Sequence, residues 1–526
     1  MKFKVLKTAE GISLLEDGFY LIESNWDDYS FKTTYMLKLV SGNQPMDIGT
    51  VKIGEIDQRQ PKPSIAQEFS ELSDNFFSLG QEPSYYERIE KLDTKQKDYV
   101  INALRDMVYN SAILHNALKQ DVTKDSLMRV VPLATIKGQF QRIISQDAKI
   151  LGYSFKYKLP EWWHSINSRV LEFKVEPEKN PPANIQVLIG RNGVGKTSLI
   201  GSMYDSLVTS PYYNPKPPGQ FIFDSDSDAF ANVIFVSFNV FDRFRPLENR
   251  KGDSSEMTCY YVGIKRDVDK TIDDLEMALK VDFDHLQVKA LRKLVPTKSI
   301  EDLDEEFSDS LSVCLQTQTK TKKWEEAIEL LNVLPRFKEL DLKSLLAIGK
   351  ADEFPNLAKG LFKDLSAGNK IVLLILTRLV ELVDERTFVL IDEPETHLHP
   401  PLLALFIRIL SKTLKEANGM ALIATHSPVV LQEVPKRCVK VLVRSGELTK
   451  FEEPELETFG ENVGTLTHET FRLEVTECGY SQLIQRAVTE FDDYEAILQS
   501  FNKELGSEAK ALIRGLLLTK KKSEEK

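Results

Sequence analysis

The chain is poor in the features that mark secreted, metal-binding or membrane proteins. It has four cysteines and seven histidines in 526 residues, and both are scattered without the spacing of a disulfide framework or a zinc site. The longest apolar run, residues 371–376, is far shorter than the roughly 20 residues that span a bilayer. Residues 1–5 lack the apolar core of a signal peptide. We therefore expect a cytoplasmic protein with no membrane partner.

The chain also lacks an excess of basic residues. It has 68 Lys and Arg against 79 Asp and Glu, a formal net charge of −11. A chain that wraps nucleic acid by itself is usually basic, because phosphate contacts dominate the affinity. The acidic balance therefore argues against this chain alone as the main nucleic-acid binder, although it leaves room for a local basic groove. No sustained heptad repeat is present, so a long coiled-coil arm is not expected.

The most informative segment is residues 190–197, Gly-Arg-Asn-Gly-Val-Gly-Lys-Thr, which follow the apolar run 185–189. The spacing is that of a P-loop between a buried strand and a helix. Its glycines let backbone N–H groups close around phosphate oxygens, Lys196 supplies a charge to the β- and γ-phosphates, and the Thr197 hydroxyl can ligate Mg²⁺. The predicted nucleotide-binding residues of this segment are Gly190, Arg191, Asn192, Gly193, Val194, Gly195, Lys196, Thr197 and Ser198.

Two further apolar runs end in residues suited to phosphate chemistry. Residues 388–391 predict a buried strand that ends at Asp392 and Glu393, and residues 420–425 predict another that ends at His426. Ligands of open α/β sheets bind at the carboxyl ends of the strands. We predict Asp392 and Thr197 for the metal, Glu393 for the base that orients the attacking water, and His426 for the γ-phosphate, with Asp392, Glu393 and His426 as the catalytic set.

Residues 365–370, Leu-Ser-Ala-Gly-Asn-Lys, open a long apolar helix. Ser366 and Gly368 would lie at its N-terminus, where backbone N–H groups favour an anion. By itself this pattern is weak evidence for an anion site, because an ordinary helix N-cap has the same residues. His397 and His399 could suggest a metal.

The order P-loop, Leu-Ser-x-Gly, Ile-Asp-Glu-Pro, Thr-His-Ser resembles the ATP-binding-cassette (ABC) class of ATPases. The resemblance implies an α/β fold: an ABC-type P-loop head with a mixed β-sheet flanked by helices. It implies ATP and Mg²⁺ as cofactors and an ATPase that converts ATP and water to ADP and phosphate. It also implies a homodimer or higher homo-oligomer in which Ser366 and Gly368 of one copy complete the ATP site of another. Because this class has its D-loop directly after Walker B, the resemblance favours a contact between subunits over a metal site for His397 and His399.

Composition divides the chain into regions. Residues 1–150 are expected to form an N-terminal α+β extension, with strands to about residue 60 and helices over 62–146. The other regions are a first part of the ATPase core with the P-loop (151–264), a helical insertion (265–360), a second part of the core with the signature, Walker B and H-loop (361–445), and a C-terminal helical region (446–526). A transporter cassette is disfavoured, because such an extension has no place in one and no glutamine follows the strand 233–236.

Residues 393–400, Glu-Pro-Glu-Thr-His-Leu-His-Pro, are typical of AAA-class, OLD-like ATPases of bacterial defence. About 85 residues follow the last core strand, too few for the Toprim nuclease of OLD-type proteins. With segments 79–86, 103–106 and 458–467, the chain resembles the PtuA family of the Septu anti-phage system, which also occurs with retrons. The resemblance implies a separate HNH nuclease partner (PtuB-like) and, in a retron, a reverse transcriptase with its RNA–DNA hybrid (msDNA).

The leading hypothesis is therefore an ATP-binding regulator of an antiviral nuclease whose nuclease activity lies in a partner chain. An alternative is a DNA-repair ATPase of SMC or OLD type that acts directly on DNA; the acidic balance and the missing coiled coil count against it. A third hypothesis is a scaffold whose bound nucleotides are structural and scarcely hydrolysed. The intact Asp392–Glu393 pair counts against it. The sequence leaves open the trigger, the nuclease substrate and the stoichiometry.

Overall fold

The computed structural model describes most of the chain and three sheets within it. The described residues are 1–8, 16–24, 28, 30–42, 44–129, 131, 133–145, 152–207, 217–223, 229–239, 257–266, 297–348, 353–471 and 479–524. Residues 267–296, a large part of the predicted helical insertion, lie outside these ranges.

An N-terminal sheet is formed by six strands. They are β1 (Phe3–Leu6), β2 (Gly18–Glu23), β3 (Thr34–Ser41), β4 (Gln44–Glu55), β5 (Glu68–Phe69) and β6 (Phe76–Gly80). Their spatial order is β5-β1-β2-β3-β4-β6, and only β1 and β2 pair in parallel. Helices packed against this sheet include Pro83–Glu90, Thr94–Ala103, Ser111–Ala117, Leu133–Thr135 and Gln141–Ile144, with π-helical turns at Thr123–Leu127 and Ile136–Phe140.

A seven-stranded sheet forms the centre of the molecule, and a three-stranded antiparallel sheet covers part of one face. The strands are β7 (Tyr153–Lys158), β8 (Val170–Val175), β9 (Ile185–Ile189), β10 (Gln220–Phe223), β11 (Asn232–Ser237), β12 (Thr258–Gly263), β13 (Thr387–Asp392), β14 (Met420–Thr425), β15 (Val439–Ser445) and β16 (Leu448–Glu452). The central order is β12-β11-β13-β14-β9-β15-β16, parallel throughout except for β16. The small sheet has the order β10-β7-β8.

The central strands are apolar along their length because both faces of the sheet are covered. Every residue of β9, β11, β13 and β14 is buried, as parallel strands between two layers require. Ile189 and Val389 face a helical layer, whereas Leu188 and Leu390 face the helix Lys196–Leu207 and the small sheet. The predicted α/β fold with a mixed sheet flanked by helices is confirmed.

The remaining described helices lie in the second half of the chain. Their bounds are Ile300–Cys314, Gln318–Leu331, Pro335–Glu339, Ser344–Ile348, Phe354–Lys363, Ala367–Leu382, Pro400–Glu416, Pro428–Gln432, Val463–Phe471, Tyr480–Glu490, Tyr494–Ser500 and Ser507–Glu524, with 3-10 turns at Pro394–Thr396 and Lys436–Cys438. Ile484, Ile497 and Ile513 form a small separate core near the C-terminus. The region predicted to be helical from residue 446 includes β16, which pairs with β15. Among the helices that the structure describes, none is long and apolar enough to cross a bilayer.

The N-terminal sheet and its helices are joined to the central sheet by a buried ion pair. Arg142 donates to both carboxylate oxygens of Glu385, with 2.7 Å between Nη2 and Oε2. The Glu385 side chain is 1% exposed, and a Cβ on Gly138 would lie 2.7 Å from its Cγ. Arg88 adds a second link, 2.7 Å from its Nη2 to Oε1 of Gln318. Because Glu385 precedes β13, this junction lies at the amino edge of the central sheet.

Candidate nucleotide site

The predicted site residues meet at the carboxyl edge of the central sheet. Neighbouring strands are parallel and in register, so that Ile189 pairs with Thr425 and Asp392 pairs with Ala424. Segments that follow β9, β13 and β14 therefore emerge side by side. The P-loop, the Asp392–Glu393 pair and His426 are brought together in this way.

The P-loop holds its lysine inside the turn. The Lys196 side chain is buried, and its Nζ donates to the carbonyl oxygens of Gly190 at 2.9 Å and Arg191 at 3.0 Å. Burial lowers the pKa of Lys196, while the negative charges of the nearby carboxylates oppose that shift. Gly193 and Gly195 have φ angles of +77° and +109°, which favour glycine. A buried cation at a glycine-rich helix N-terminus fits a phosphate group.

The other loop residues face different surroundings. Arg191 donates from Nη2 to the carbonyl of Phe471, 3.0 Å away, at the end of the helix Val463–Phe471. Asn192 is exposed. Val194 is buried and Ser198 is exposed, and both line a cavity of about 360 Å³.

Asp392 and Thr197 stand next to each other across the site. The Thr197 hydroxyl donates to Oδ1 of Asp392 at 3.1 Å, and Asp392 is 3% exposed. A hydroxyl beside a buried carboxylate fits a Mg²⁺ ion bound through oxygen. Glu393 follows in the left-handed region, with φ of 46° and ψ of 58°, and its N–H donates to the Ala424 carbonyl at 2.8 Å. Such a conformation costs a non-glycine residue on the order of 1 kcal/mol or more. It changes the direction of the chain directly after the strand.

A third carboxylate, Glu395, was not predicted from the sequence. Its Oε1 accepts hydrogen bonds from the Thr425 hydroxyl at 2.7 Å and from the His426 backbone N–H at 2.6 Å. The same oxygen lies 3.0 Å from Nδ1 of His426, whereas Oε1 of Glu393 lies 3.7 Å from that nitrogen. The only sequence feature that pointed to Glu395 is that it is a second glutamate two positions beyond Glu393.

Two tryptophans were also missed. Trp162 and Trp163 line the cavity of about 360 Å³ together with Val194, Gly195 and Ser198. The indole N–H of Trp163 donates to the Thr449 hydroxyl at 2.8 Å, and that of Trp162 to the Pro217 carbonyl at 2.9 Å. The sequence feature that could have indicated them is that two of the four tryptophans in the chain are adjacent.

Ser366 and Gly368 form no described hydrogen bond with these groups. Ser366 is the N-cap of the helix Ala367–Leu382, is exposed, and makes no capping hydrogen bond with its side chain. A Cβ on Gly368 would lie 2.6 Å from the carbonyl oxygen of His397. Among the described residues, no hydrogen bond joins either residue to the P-loop of the same chain.

His397 and His399 face structural partners. Nε2 of His397 lies 3.1 Å from the Phe238 carbonyl oxygen, and Nδ1 of His399 accepts from the Leu402 N–H at 3.4 Å. A search of the described residues finds no group of three or more His, Cys, Asp or Glu side chains arranged to hold a metal. The predicted role of the two histidines between subunits stays a prediction.

Residues 185–432 match a protein-family model described as "AAA domain, putative AbiEii toxin, Type IV TA system". Protein ea59 of Escherichia phage lambda is 32% identical over 553 residues, covering 99% of each chain. Two solved structures are similar to the chain at low identity. A nucleotide-free ATP-binding cassette from an ABC transporter is 13% identical over 62% of this chain and 98% of its own, with a TM-score of 0.28. Part of the ABC transporter complex cbiONQ from Clostridium perfringens is 14% identical over 64% and 95%, with a TM-score of 0.27.

Proposed function

The chain belongs to the family of protein ea59 of Escherichia phage lambda and contains a P-loop ATPase domain of AAA/ABC type, and from that premise we propose that it hydrolyses ATP at a site completed by a second copy. The observation that carries this proposal is the 3.1 Å contact between Thr197 and Asp392, with Lys196, Glu393 and His426 at the same edge of the sheet. These residues come from three neighbouring parallel strands and the turns that follow them.

Each of these side chains has a chemical role in the proposal. Lys196 binds phosphate oxygens, and Thr197 and Asp392 hold Mg²⁺. The bound metal supplies charge that stabilises the phosphates during transfer. Glu393 orients the attacking water and accepts its proton, and His426 contacts the γ-phosphate.

Trp162 and Trp163 are suited to the nucleobase. Their rings line the cavity beside Ser198, at the start of the helix that follows the P-loop. An aromatic ring that stacks on a base contributes on the order of 1–3 kcal/mol to binding. The cavity of about 360 Å³ is therefore proposed to receive the adenine.

A site shared between two copies gives Ser366 and Gly368 a role in ATP binding. They lie at the exposed N-terminus of a 16-residue helix, and their own P-loop does not engage them among the described hydrogen bonds. We infer that they bind the ATP held by a second copy, so that ATP joins two chains and its hydrolysis releases them.

Lys196→Ala tests nucleotide binding. We expect loss of ATP binding in isothermal titration and loss of phosphate release, because the cation that faces the phosphates is removed. Lys174→Ala, which changes an exposed lysine, is the matched control and should behave as wild type. Unchanged ATP affinity in Lys196→Ala would contradict the proposal.

Glu393→Gln tests the shared site. The variant should bind ATP but hydrolyse it slowly, and size-exclusion chromatography with MgATP should show a stable dimer that Ser366→Arg abolishes. A profile that is the same with and without MgATP would rule out assembly through nucleotide.

The wider role follows from the resemblance of segments 79–86, 103–106 and 458–467 to PtuA. We propose that the ATPase holds and regulates a separate PtuB-like HNH nuclease in anti-phage defence, with a reverse transcriptase and msDNA as further partners if the system is a retron. The test is co-purification with the nuclease encoded beside the gene, followed by phage infection with Lys196→Ala. Protection that survives this substitution would contradict regulation by ATP.

The alternative is a DNA-repair ATPase that acts directly on DNA. Phosphate release by the isolated chain, measured with and without linear duplex DNA, separates the two proposals. Strong stimulation by DNA would favour the alternative, and an ATPase rate near zero would favour a scaffold with structural nucleotides.

A further inference from the structure

Three carboxylates converge on the site, and each faces a different neighbour. Asp392 accepts from the Thr197 hydroxyl. The side chain of Glu393 is 19% exposed and follows the sharp left-handed turn. Glu395 is only 8% exposed and belongs to the turn Pro394–Thr396. The metal and the attacking water account for Asp392 and Glu393, which leaves Glu395 without a role.

One oxygen of Glu395 gathers contacts from two consecutive residues at the end of β14. Oε1 accepts from the Thr425 hydroxyl at 2.7 Å and from the His426 N–H at 2.6 Å, and it lies 3.0 Å from Nδ1 of the same histidine. The carboxylate thereby contacts both the backbone and the ring of His426. The backbone contact is a hydrogen bond, whereas Nδ1 of the ring lies close to Oε1 without forming one.

The burial of Glu395 is unfavourable unless its charge and hydrogen bonds are compensated. Oε1 has its donors, and the positive charge of Lys196 lies close enough to interact with the carboxylate. Oε2 is shielded from solvent, and no described residue donates a hydrogen bond to it. A purely structural link between β13 and β14 already exists in their ladder of hydrogen bonds, so the carboxylate is not needed for that purpose.

We propose that Glu395 is a positioning residue for His426. Its Oε1 accepts from the Thr425 hydroxyl and the His426 N–H, which fixes where the histidine leaves β14, and the same oxygen beside Nδ1 favours a ring orientation in which Nε2 faces the γ-phosphate. The inference rests on the proposed ATPase activity and on the role of His426 in it. Glu395 acts through the histidine and touches neither the nucleotide nor the metal.

The test is a double-substitution cycle with Glu395→Ala and His426→Ala, read as kcat and as the Kd for ATP. Loss of a residue that orients a metal-bound histidine typically lowers activity about tenfold to a hundredfold, and we take the same range for His426. We expect kcat to fall by that factor in Glu395→Ala, with the Kd for ATP changed by less than about threefold and the melting temperature unchanged. In the His426→Ala background, Glu395→Ala should cause no further loss.

Glu395→Gln retains an oxygen acceptor and should recover most of the lost kcat. Glu339→Gln changes an exposed carboxylate on the helix Pro335–Glu339 and serves as the control. If Glu395→Ala proves unfolded, Glu395→Asp replaces it in the cycle, because its shorter side chain draws the oxygen away from Nδ1.

Two results would overturn this inference while leaving the ATPase proposal intact. One is a wild-type kcat in Glu395→Ala together with a low kcat in His426→Ala. The other is the same loss from Glu395→Ala in both backgrounds, which would show that Glu395 acts independently of the histidine. Absence of ATP hydrolysis by the wild-type chain would instead overturn the proposed function and this inference with it.

Discussion

At the scale of single residues, Gly195 meets two independent constraints. Its φ of +109° is one that L side chains rarely adopt, and a Cβ there would lie 2.8 Å from Cη2 of Trp163. Gly201, in the helix that follows, has open space around its Cα and an ordinary φ. Gly195 is therefore constrained both by its backbone conformation and by Trp163, whereas Gly201 has neither constraint.

Gly195→Ala is expected to weaken ATP binding at least about tenfold, because the loop must shift away from Trp163 and distort the phosphate cradle. Gly201→Ala should leave the affinity unchanged and raise stability by about 0.5–1 kcal/mol, since alanine is the better helix former. Isothermal titration and chemical denaturation of both variants provide the measurements. Equal affinities in the two variants would contradict the assignment of Gly195.

Asp106 is a second residue whose surroundings are unusual. It is 2% exposed, and burial raises its pKa to about 7 even though the Val108 N–H and the Tyr86 hydroxyl donate to its carboxylate. The folded chain therefore binds this proton more tightly than the unfolded chain does. The resulting stabilisation is complete below about pH 4 and is lost as the pH rises through about 7.

Asp106→Asn removes this titration and keeps an oxygen acceptor. We expect the stability of the wild type to fall relative to the variant between about pH 5 and about pH 8, by about 1.4 kcal/mol for each pH unit from about 5 to about 7. Urea denaturation of both proteins at the two pH values measures this change. A difference in stability that is independent of pH would show that Asp106 is ionised throughout.

At the scale of elements, the sequence predicts what is local and misses what depends on distant partners. The strands at 388–391 and 420–425 were predicted because continuous apolar runs suit strands buried on both faces. β6 lies in a region predicted to be helical; its short run pairs with β4, and no local pattern reveals that partner. The helix Thr94–Ala103 ends where Arg105 takes a φ of +52°, although apolar residues continue at helical spacing.

The same distinction applies to the site. The P-loop and the Asp392–Glu393 pair are contiguous motifs, so their spacing alone predicts their chemistry. Glu395 and Trp163 gain their importance from contacts with His426 and Gly195, which only the folded chain brings together.

Among the junctions between elements, the Arg142–Glu385 pair is expected to contribute most. Arg142→Ala leaves a carboxylate that is 1% exposed without its guanidinium partner, and such a loss costs about 3–5 kcal/mol. Arg336→Ala breaks an exposed pair with Glu339 and should change stability by less than about 1 kcal/mol. Chemical denaturation compares the two variants. A small effect from Arg142→Ala would mean that the junction relaxes to readmit water.

At the scale of the whole molecule, the groups proposed to bind one ATP lie on separate parts of one chain. The P-loop follows β9, whereas Ser366 begins the helix Ala367–Leu382 and Gly368 packs against the His397 carbonyl. A symmetric pair of copies would bring the P-loop of each to Ser366 of the other and form two sites.

Mixing two inactive variants tests this arrangement. Lys196→Ala and Ser366→Arg should each be inactive alone, but a mixed dimer contains one site with an intact P-loop and an intact Ser366. An equal mixture should recover up to about a quarter of wild-type phosphate release, since about half of the dimers are mixed. No recovery, with exchange of subunits verified by tagged copies, would contradict the shared site.

β13 connects the junction with the N-terminal sheet to the carboxylates of the proposed site. Six residues long, it measures about 20 Å from end to end. The Arg142–Glu385 junction grips one end, and Asp392 and Glu393 stand at the other. The strand is buried along its whole length and pairs with a neighbouring strand on each side. One short, fully buried strand therefore separates Asp392 and Glu393 from the junction with the N-terminal sheet.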